Sequence, residues 1–381
     1  MLIIILIIII ITGIIGNLIN VNIFIQKDMR KISIFRLLLY LSVIDLLVLF
    51  ICTGDTVLTF CFKIHIRLYS TFTCKMHTFL TYYLTHMSSI VLMCVSVQRY
   101  LIIHNIEVFN SIKVEFLKQK FKLYHIEKII FLIAVLLAIL NSHYLIFFDL
   151  NEVEQNLYDF LNDVNGSVNS MDLNVISETL TTTSEETNSP LLVPSTNRTG
   201  LFICYSLKYM DYTYFLIHNW LWIDTSIYFF LPNTIMIVCS IMIFIEIKRK
   251  SKGFLKTSAK MNRLIIRNRI KRNKKIFYML LGTNIFFCIC SIPYCVWSYN
   301  AYDDTNTDVL LVVYLFSYSN NSFNFLFYLS FSNLYREAFV NLFRCKKTTN
   351  ETTSVAICSK NTKYGEDVRF LDEHDAPVLH K

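Results

Sequence analysis

The chain has 381 residues, of which 54% are hydrophobic and only 17% are charged, whereas roughly a quarter of the residues in an ordinary soluble domain are charged. Glycine and proline are scarce, at 8 and 5 residues, which excludes collagen-like and proline-rich disordered chains. The apolar residues form runs too long for the core helices of soluble proteins, so a soluble enzyme is excluded and a multi-span membrane protein is predicted.

Seven apolar windows are long enough to span a bilayer, which takes about 20 residues because hydrocarbon satisfies no backbone polar group. The windows lie at approximately 2–25, 36–60, 76–103, 127–148, 213–246, 276–299 and 309–332. A signal peptide is the alternative for the first window, but that window has no basic leader and no charge before Lys27. We therefore predict an all-α membrane protein with seven transmembrane helices over residues 2–332.

Charged residues in the connections predict the orientation, because short cytoplasmic loops are rich in Lys and Arg. Residues 247–275 contain thirteen Lys or Arg and no Asp or Glu, whereas residues 149–212 contain ten acidic residues and two basic ones. We therefore expect the N-terminus outside, a basic cytoplasmic loop at 247–275 and the C-terminus inside. A basic loop of this kind faces anionic lipid, so no nucleic-acid partner is expected.

The segment 149–212 is predicted to be a long acidic extracellular loop of low hydrophobicity. It contains two acceptor sequons for N-glycosylation, at Asn165 and Asn197. Cys74, at the start of the third window, and Cys204, in the loop, both fall at the oxidising outer face. We predict a disulfide between them that holds the loop against the third helix.

Catalytic signatures are absent from the sequence: it has no H-E-x-x-H, P-loop, G-x-S-x-G or metal-spaced Cys/His cluster. We therefore expect neither an enzymatic activity nor a cofactor. The histidines in the predicted spans, among them His77, His86 and His143, are interpreted as singly satisfied or interface-facing side chains.

Three ionisable residues fall inside the predicted spans, where a charge is costly and usually functional. Asp45 lies deep in the second window, Arg99 near the inner end of the third and Asp224 in the outer half of the fifth. Arg99 is close enough to the inner interface to extend towards water, but Asp45 is not. The Asp45 carboxylate therefore needs a polar partner, a proton or a cation.

Several short motifs occur in a fixed order along the predicted helices. They are Gly16-Asn17 in the first, Leu41-x-x-x-Asp45 in the second, Cys74 and Gln98-Arg99-Tyr100 in the third, Pro232 in the fifth, Phe287-x-x-Cys290-Ser291-x-Pro293 in the sixth and Asn324-Phe325-Leu326-Phe327-Tyr328 in the seventh. Their joint order and spacing resemble the rhodopsin-like (class A) G-protein-coupled receptors, over nearly the whole chain from Gly16 to about Cys345.

The resemblance implies a seven-helix bundle followed by a short cytoplasmic amphipathic helix at 333–344 and a disordered cytoplasmic tail at 345–381. It implies a plasma-membrane receptor that binds an extracellular ligand and activates heterotrimeric G proteins, with arrestin as a further partner. The residues expected to form its coupling switch are Gln98, Arg99, Tyr100, Phe287, Pro293, Asn324 and Tyr328. Cys345, beside basic residues just after the last helix, is a palmitoylation candidate, an unmodified thiol being the alternative.

The sequence departs from the family pattern at several switch positions. Gln98 replaces the acid that restrains the neighbouring Arg99, Ser291 replaces a Trp, and Phe325 replaces a kink-forming Pro. We therefore expect a weakly locked inactive state with measurable basal signalling.

The resemblance also implies a sodium ion as an allosteric modulator at the centre of the bundle. The matching positions here are Asp45, Ser88, Asn320 and Asn324, with Asn17 as a hydrogen-bonding neighbour. Oxygen ligands around one carboxylate suit a hard cation.

Two residues that the sequence lacks narrow the class of ligand. Thr81 stands where amine receptors of this family have an Asp, and Tyr318 where opsins have a Lys. An acidic, aromatic-rich vestibule favours a short basic or amidated neuropeptide with its cation near Asp224. The expected pocket residues are Thr81, Tyr82, Asp224, Ser291, Tyr294, Tyr314 and Tyr318. An interfacial aromatic belt is the alternative interpretation of the aromatic ones.

Two other functions compete with a signalling receptor. The altered switch motifs also suit an uncoupled or constitutively active receptor-like scaffold. A membrane transporter could use Asp45 and Arg99, but the sequence lacks the internal repeats typical of transporters.

Overall fold

The computed structural model describes residues 1–30, 32–111, 124–153, 201–254, 260–300 and 307–344, and these are mostly helical. The helices before residue 150 are α1 (Leu2–Phe24), α2 (Lys27–Arg30), α3 (Ser33–Val48), α4 (Gly54–Phe62), α5 (Thr71–Ser111), α6 (Tyr124–Asn141) and α7 (His143–Phe147). The helices after residue 205 are α8 (Met210–Phe215), α9 (Leu221–Thr225), α10 (Leu231–Phe254), α11 (Lys260–Asn300), α12 (Thr307–Phe331) and α13 (Asn333–Phe343).

Several of these helices run on into one another. A π-helical turn, Leu49–Thr53, joins α3 to α4, and two more, Leu216–Trp220 and Ser226–Phe230, join α8, α9 and α10. A one-turn 3₁₀ helix, Ile66–Leu68, lies in the connection between α4 and α5. Since π-helical turns shift the direction of the side chains that follow them, the two turns on either side of α9 help to set the direction of Asp224.

Six helices among the described residues are long and apolar enough to cross a membrane. They are Leu2–Phe24, Ile34–Phe62, Thr71–His104, Lys128–Phe147, Asp211–Arg249 and Phe277–Tyr299. They coincide with the first six predicted windows, and they are compatible with a multi-pass membrane protein. The seventh window forms α12, which is not among the six, because Asn320, Asn321 and Asn324 interrupt its apolar run.

The outward faces of these helices are apolar. Ile8, Ile11 and Ile15 of α1 are each more than half exposed, and α6 exposes Leu132 and Ile139 in the same way. Because a lipid-facing helix has no need of a polar outer face, this pattern fits a chain whose polar residues are turned inwards.

Two glycines of α1 allow α12 to approach closely. Helix α12 packs against α1 on one side and α11 on the other. A Cβ atom added at Gly16 would lie only 2.2 Å from the Phe325 ring, and one added at Gly13 would lie 2.4 Å from Ser322 Oγ. The missing side chains of α1 therefore make room for Phe325 and Ser322.

The connection after α7 contains two short strands that the sequence did not predict. Strand β1 (Asp149–Val153) pairs antiparallel with β2 (Leu201–Tyr205), with Leu150 opposite Cys204. Backbone pairing satisfies the polar groups of these ends of the long loop. The predicted extracellular loop 149–212 is thus ordered at both ends, while residues 154–200 lie outside the described part of the chain.

Candidate functional site

A buried polar cluster around Asp45 lies at the centre of the helices. Asp45 is fully buried, and its Oδ1 accepts hydrogen bonds from Ser88 Oγ at 2.8 Å and from Asn321 Nδ2 at 2.7 Å. Its Oδ2 accepts a third hydrogen bond from Asn324 Nδ2 at 2.9 Å. The cluster thus joins α3, α5 and α12 through one carboxylate, and its members specify how these helices fit together.

The sequence predicted Asn320 for this cluster, and the structure has Asn321 instead. No hydrogen bond joins Asn320 to Asp45, and the buried Oδ1 of Asn320 has no partner among the described residues. Asn321 bonds both to Asp45 and, at 3.2 Å, to Ser88 Oγ. Adjacent helical residues point about 100° apart, so only one of the two can face α3.

The polar cluster continues towards the last helix through two asparagines of α1. Asn17 donates to the Asn321 carbonyl at 2.8 Å, and Asn20 Nδ2 lies 3.4 Å from Asn17 Oδ1. Tyr335 of α13 donates its hydroxyl to Asn20 Oδ1 at 2.6 Å. Burial raises the pKa of Tyr335, so the phenol stays protonated and keeps this donor.

The predicted sodium site does not fit the cluster as it is arranged. Both oxygens of Asp45 are occupied by hydrogen-bond donors, two amide N–H groups and one hydroxyl. A sodium ion is held by oxygen lone pairs, and the amides of Asn321 and Asn324 present nitrogen to the carboxylate. A cation at Asp45 would have to compete with these three donors for the carboxylate, and it would gain oxygen ligands from the asparagines only if their amides turned.

A second buried polar cluster lies nearer the end of the helices that the loop charges predict to face outwards, which we call the outer end. His86 Nε2 lies 2.9 Å from Asp224 Oδ1, and Asn141 Nδ2 lies 3.2 Å from His86 Nδ1. The Asn141 amide also donates to the Leu137 carbonyl at 2.8 Å. An amide N–H can only donate, so Nδ1 of His86 accepts from Asn141, and Nε2 is the ring nitrogen that faces the Asp224 carboxylate.

The predicted disulfide is present and closes the outer end above this cluster. Cys74 of α5 is bonded to Cys204 of β2, with their Cα atoms 5.5 Å apart. The bond lies in an apolar cluster whose other buried members are Tyr144, Phe148, Ile203, Tyr205, Leu216 and Trp220. The strand pair is thereby fixed to the top of α5, as the sequence predicted.

Aromatic rings separate the disulfide from the buried polar cluster below it. Tyr82 stacks on Tyr144 with ring centroids 4.5 Å apart, and His143 lies 4.1 Å from Trp220. The His143 Nδ1 also bonds to the hydroxyl of Tyr212. Of the predicted pocket residues, Tyr82 and Asp224 are brought into this part of the molecule.

The outer end also contains an ion pair that the sequence analysis did not select. Arg67 Nε lies 3.4 Å from Asp55 Oδ2 and donates to His77 Nδ1 at 3.1 Å. His77 Nε2 lies 3.7 Å from the same carboxylate oxygen. Burial lowers the pKa of Arg67, but Asp55 together with Tyr314, Tyr82 and Tyr318 raises it by more, so the guanidinium stays charged.

Three further predicted pocket residues lie around this ion pair. Thr81 Oγ1 is 3.5 Å from His77 Nδ1. The hydroxyls of Tyr318 and Thr56 form a hydrogen bond of 3.1 Å. Tyr314 stacks on Tyr318 with centroids 5.7 Å apart. Thr81, Tyr314 and Tyr318 are thus grouped on the side of Asp55 rather than that of Asp224.

The remaining predicted pocket residues, Ser291 and Tyr294, meet a tyrosine of the preceding helix. Tyr228 OH is 3.4 Å from Ser291 Oγ, and its ring lies 5.9 Å from Tyr294 and 6.0 Å from Phe287. Ser291 is fully buried. Tyr228 therefore contacts three residues of α11, and Pro293 lies within the same helix, two residues after Ser291.

Four of the predicted coupling residues lie towards the end of the helices that is predicted to face inwards, namely Gln98, Arg99, Tyr100 and Tyr328. Of the others, Asn324 bonds to Asp45, Phe287 packs on Tyr228 and Pro293 lies within α11. Arg99 and Tyr328 are buried, and Tyr100 stacks on His104 with centroids 5.5 Å apart. The buried Gln98 Oε1 and the Tyr328 hydroxyl have no hydrogen-bond partner among the described residues. Tyr328 packs on Phe24, which links the inner end of α12 to α1.

Sequence reasoning missed the pairing of His86 with Asp224 and the ion pair of Asp55 with Arg67. His86 and Asp224 are 138 residues apart in the chain, whereas Asp55 lies in α4 and Arg67 in the connection that follows it. Of the four, only Asp224 had been selected, as an anion for a ligand cation. Residues Asn165, Asn197 and Cys345, with the tail 345–381, lie outside the described residues. Comparison with protein-family models and with curated proteins gave no match for this chain.

Proposed function

We propose that the chain is a cell-surface receptor that binds an extracellular ligand and activates heterotrimeric G proteins. The ligand class that fits best is a short basic or amidated peptide. The proposal depends on the order and spacing of the helix motifs, on the two buried polar clusters and on the disulfide at the outer end.

A seven-helix bundle in the plasma membrane is part of this proposal. The six apolar helices and α12, which packs between α1 and α11, would be its seven members. The basic segment 247–275 and the acidic segment 149–212 then set the N-terminus outside and the C-terminus in the cytoplasm. Helix α13, which buries Tyr335 and Ala338 and exposes Leu342 and Phe343, would lie on the inner leaflet.

The observation that carries the proposal is the polar cluster around Asp45. Four helices meet in it, through Asn17, Asp45, Ser88 and Asn321, and Tyr335 extends it to α13. Interhelical hydrogen bonds can be exchanged for others at small net cost, because each donor finds a new acceptor nearby. A bundle built around such bonds can hold two arrangements, and a ligand that prefers one shifts their populations.

The inner end supplies the surface for the G protein. In the active arrangement the inner ends of α10 and α11 would separate from α5 and uncover Arg99 and Tyr328. A basic loop at 247–275 suits the acidic and polar surface of a partner that approaches an anionic membrane. Arrestin would recognise the phosphorylated tail, which contains Thr348, Thr349, Thr352, Thr353 and Ser354.

The test is guanine-nucleotide exchange in membranes from cells that express the full chain. The peptides would be short synthetic C-terminally amidated peptides containing Arg or Lys. A dose-dependent increase in exchange that is lost in Arg99→Ala and kept in Arg30→Ala would support coupling, since Arg30 is an exposed base of the same predicted face. Surface expression of all three proteins would be measured with an N-terminal epitope tag.

Other results would favour the competing functions. Normal surface expression with neither basal nor stimulated exchange would favour a receptor-like scaffold, for which Gln98 beside Arg99 is the motivating observation. Solute flux that depends on Asp45 would favour a transporter. Basal exchange without peptide, abolished by Arg99→Ala, would agree with the weak inactive-state lock that the sequence predicts.

A further inference from the structure

The outer end contains a pair of opposite charges whose hydrogen-bonding groups are only partly used. Both polar contacts of the Asp55 carboxylate end on Oδ2, from Arg67 Nε at 3.4 Å and His77 Nε2 at 3.7 Å. Asp55 Oδ1 is buried and has no hydrogen-bond partner among the described residues. The contacts of Arg67 to those residues likewise use only Nε. Within the part of the chain that the structure describes, one carboxylate oxygen and the two terminal guanidinium nitrogens therefore have no hydrogen-bond partner.

The pair lies beside the side chains that the sequence predicts for the ligand pocket. Tyr314 and Tyr318 are close enough to Arg67 to interact with its charge. Tyr318 also bonds to Thr56, the residue after Asp55. The side chain of Arg67 is 37% exposed and that of Asp55 is 12% exposed. A ligand at the outer face would thus meet the guanidinium first and the carboxylate behind it.

The two opposite charges together disfavour a ligand group that carries a single charge of either sign. A ligand carboxylate that approaches Arg67 would meet Asp55, and a ligand ammonium or guanidinium that approaches Asp55 would meet Arg67; like charges at such distances repel. The complementary group is neutral and has a donor and an acceptor side by side. The χ2 torsion of an aspartate is broad, so a partial rotation can bring Oδ1 towards the guanidinium, where both can meet such a group.

A primary carboxamide has this form, and an ordinary peptide bond does not. In a trans peptide unit the N–H and the C=O point in opposite directions. A primary carboxamide has one N–H on the same side as its oxygen, so it can donate to Asp55 and accept from Arg67 at once. Both bonds would be charge-assisted and therefore stronger than bonds between neutral groups.

We propose that Asp55 and Arg67 bind a primary carboxamide of the ligand, and that this group is the amidated C-terminus of a peptide. An Asn or Gln side chain is a second source of the same group. The inference rests on the proposed function in that it takes the ligand to be an extracellular peptide. It predicts binding that can be measured in the absence of a G protein.

The first experiment compares small probes on the purified full-length chain in detergent micelles, by titration with saturation-transfer NMR. The probes are N-acetylphenylalanine amide, its free acid, its N-methylamide, and N-acetylglutamine N-methylamide. We expect the primary amide to bind on the order of tenfold more tightly than the acid or the methylamide, the effect of about one strong hydrogen bond. Tighter binding of the glutamine probe than of the phenylalanine amide would overturn the assignment to a peptide C-terminus.

The second experiment asks whether the preference comes from this pair. Asp55→Asn removes the repulsion of a carboxylate, so the acid should gain affinity and the preference for the amide should disappear. Arg67→Gln should weaken the binding of the primary amide on the order of tenfold. Asp211→Asn and Lys208→Gln, which change exposed charges near the same end of the protein, should leave all affinities unchanged.

Each variant would first be checked for the Cys74–Cys204 disulfide and for an unchanged melting temperature. If Asp55→Asn fails this check, Arg67→Gln decides the question. Equal binding of amide and acid by the parent protein, or an unchanged preference in a folded variant of the pair, would overturn the inference. Amide binding without nucleotide exchange would refute the proposed function alone, and exchange without an amide preference would refute this inference alone.

Discussion

His86 and Asp224 form a buried hydrogen-bonded pair between α5 and α9, with 2.9 Å between Nε2 and Oδ1. His86 is fully buried, and Asp224 is 6% exposed. The carboxylate that the sequence suggested as a free anion for a ligand cation therefore already has a donor within the protein. A ligand cation near Asp224 would share the carboxylate with His86.

Removal of either partner of this pair should destabilise the protein. His86→Ala leaves a buried carboxylate oxygen without its donor, and Asp224→Ala leaves a buried imidazole N–H without its acceptor. We expect each variant to lose about 2–3 kcal/mol of unfolding free energy. The double variant should lose little more than either single one, because the second change removes a group that has already lost its partner.

The measurement is thermal unfolding of the purified parent and variants in the same detergent. His218→Ala is the control, since His218 is an exposed histidine two residues before Trp220 and should be replaced at little cost. Losses that simply add in the double variant would show that the two side chains do not stabilise one another.

The close approach of α1 and α12 gives a second prediction. Gly16→Ala would place a methyl group 2.2 Å from the Phe325 ring, so the two helices must move apart. Overpacking of this kind typically costs about 1–3 kcal/mol. Gly54→Ala is the matched control, because nothing lies within 4 Å of a Cβ atom there, and alanine is the better helix former by about 1 kcal/mol.

Melting temperatures of the two alanine variants should therefore move in opposite directions from that of the parent. A further variant, Gly16→Ala combined with Phe325→Leu, should recover much of the loss, since the ring that meets the methyl group is gone. Equal stability of Gly16→Ala and the parent would mean that α1 and α12 are not packed as closely as described.

The sequence predicted the main elements of this fold well because long apolar runs and charge asymmetry are local features. The six apolar helices and the Cys74–Cys204 disulfide follow from such features and are present. The strands β1 and β2 were not predicted, because the composition of the long loop favours no regular structure. Their pairing depends on two segments some fifty residues apart in the chain.

The polar clusters were predicted less completely, because partner choice depends on helix rotation. The sequence has an asparagine at both 320 and 321, and the rotation of α12 decides which of them reaches Asp45. In the structure it is Asn321. The pairing of His86 with Asp224 joins residues 138 apart in the chain, and no short motif marks it. The location of Asp45 at the centre could be predicted, whereas its set of donors could not.

The hydrogen bonds to Asp45 lead to a prediction about sodium. Because three donors occupy both carboxylate oxygens, replacement of sodium by choline at equal ionic strength should leave the melting temperature of the parent unchanged. The same comparison on Asp45→Asn controls for effects of salt elsewhere on the protein. Sodium-dependent stabilisation of the parent that is absent from Asp45→Asn would mean that the amides of Asn321 and Asn324 turn to bind a cation.

The contact between α13 and α1 depends on the hydroxyl of Tyr335. It donates to Asn20 Oδ1 at 2.6 Å, and both residues are fully buried. Tyr335→Phe keeps the ring against Phe24 and Tyr328 but leaves Asn20 without this donor. We expect a loss of about 1–2 kcal/mol of unfolding free energy, measured against Tyr278→Phe, whose ring is 52% exposed.

The melting temperatures of the parent and of Tyr335→Phe should also respond differently to alkaline pH. Burial raises the pKa of Tyr335 in the folded protein, whereas an unfolded tyrosine ionises near pH 10. The stabilisation linked to the protonated phenol is therefore complete below about pH 10 and is lost as the pH rises above that value. Between neutral pH and about pH 11, the melting temperature of the parent should fall further than that of Tyr335→Phe. Parallel falls in the two proteins would mean that Tyr335 is not held in its protonated form by the contact with α1.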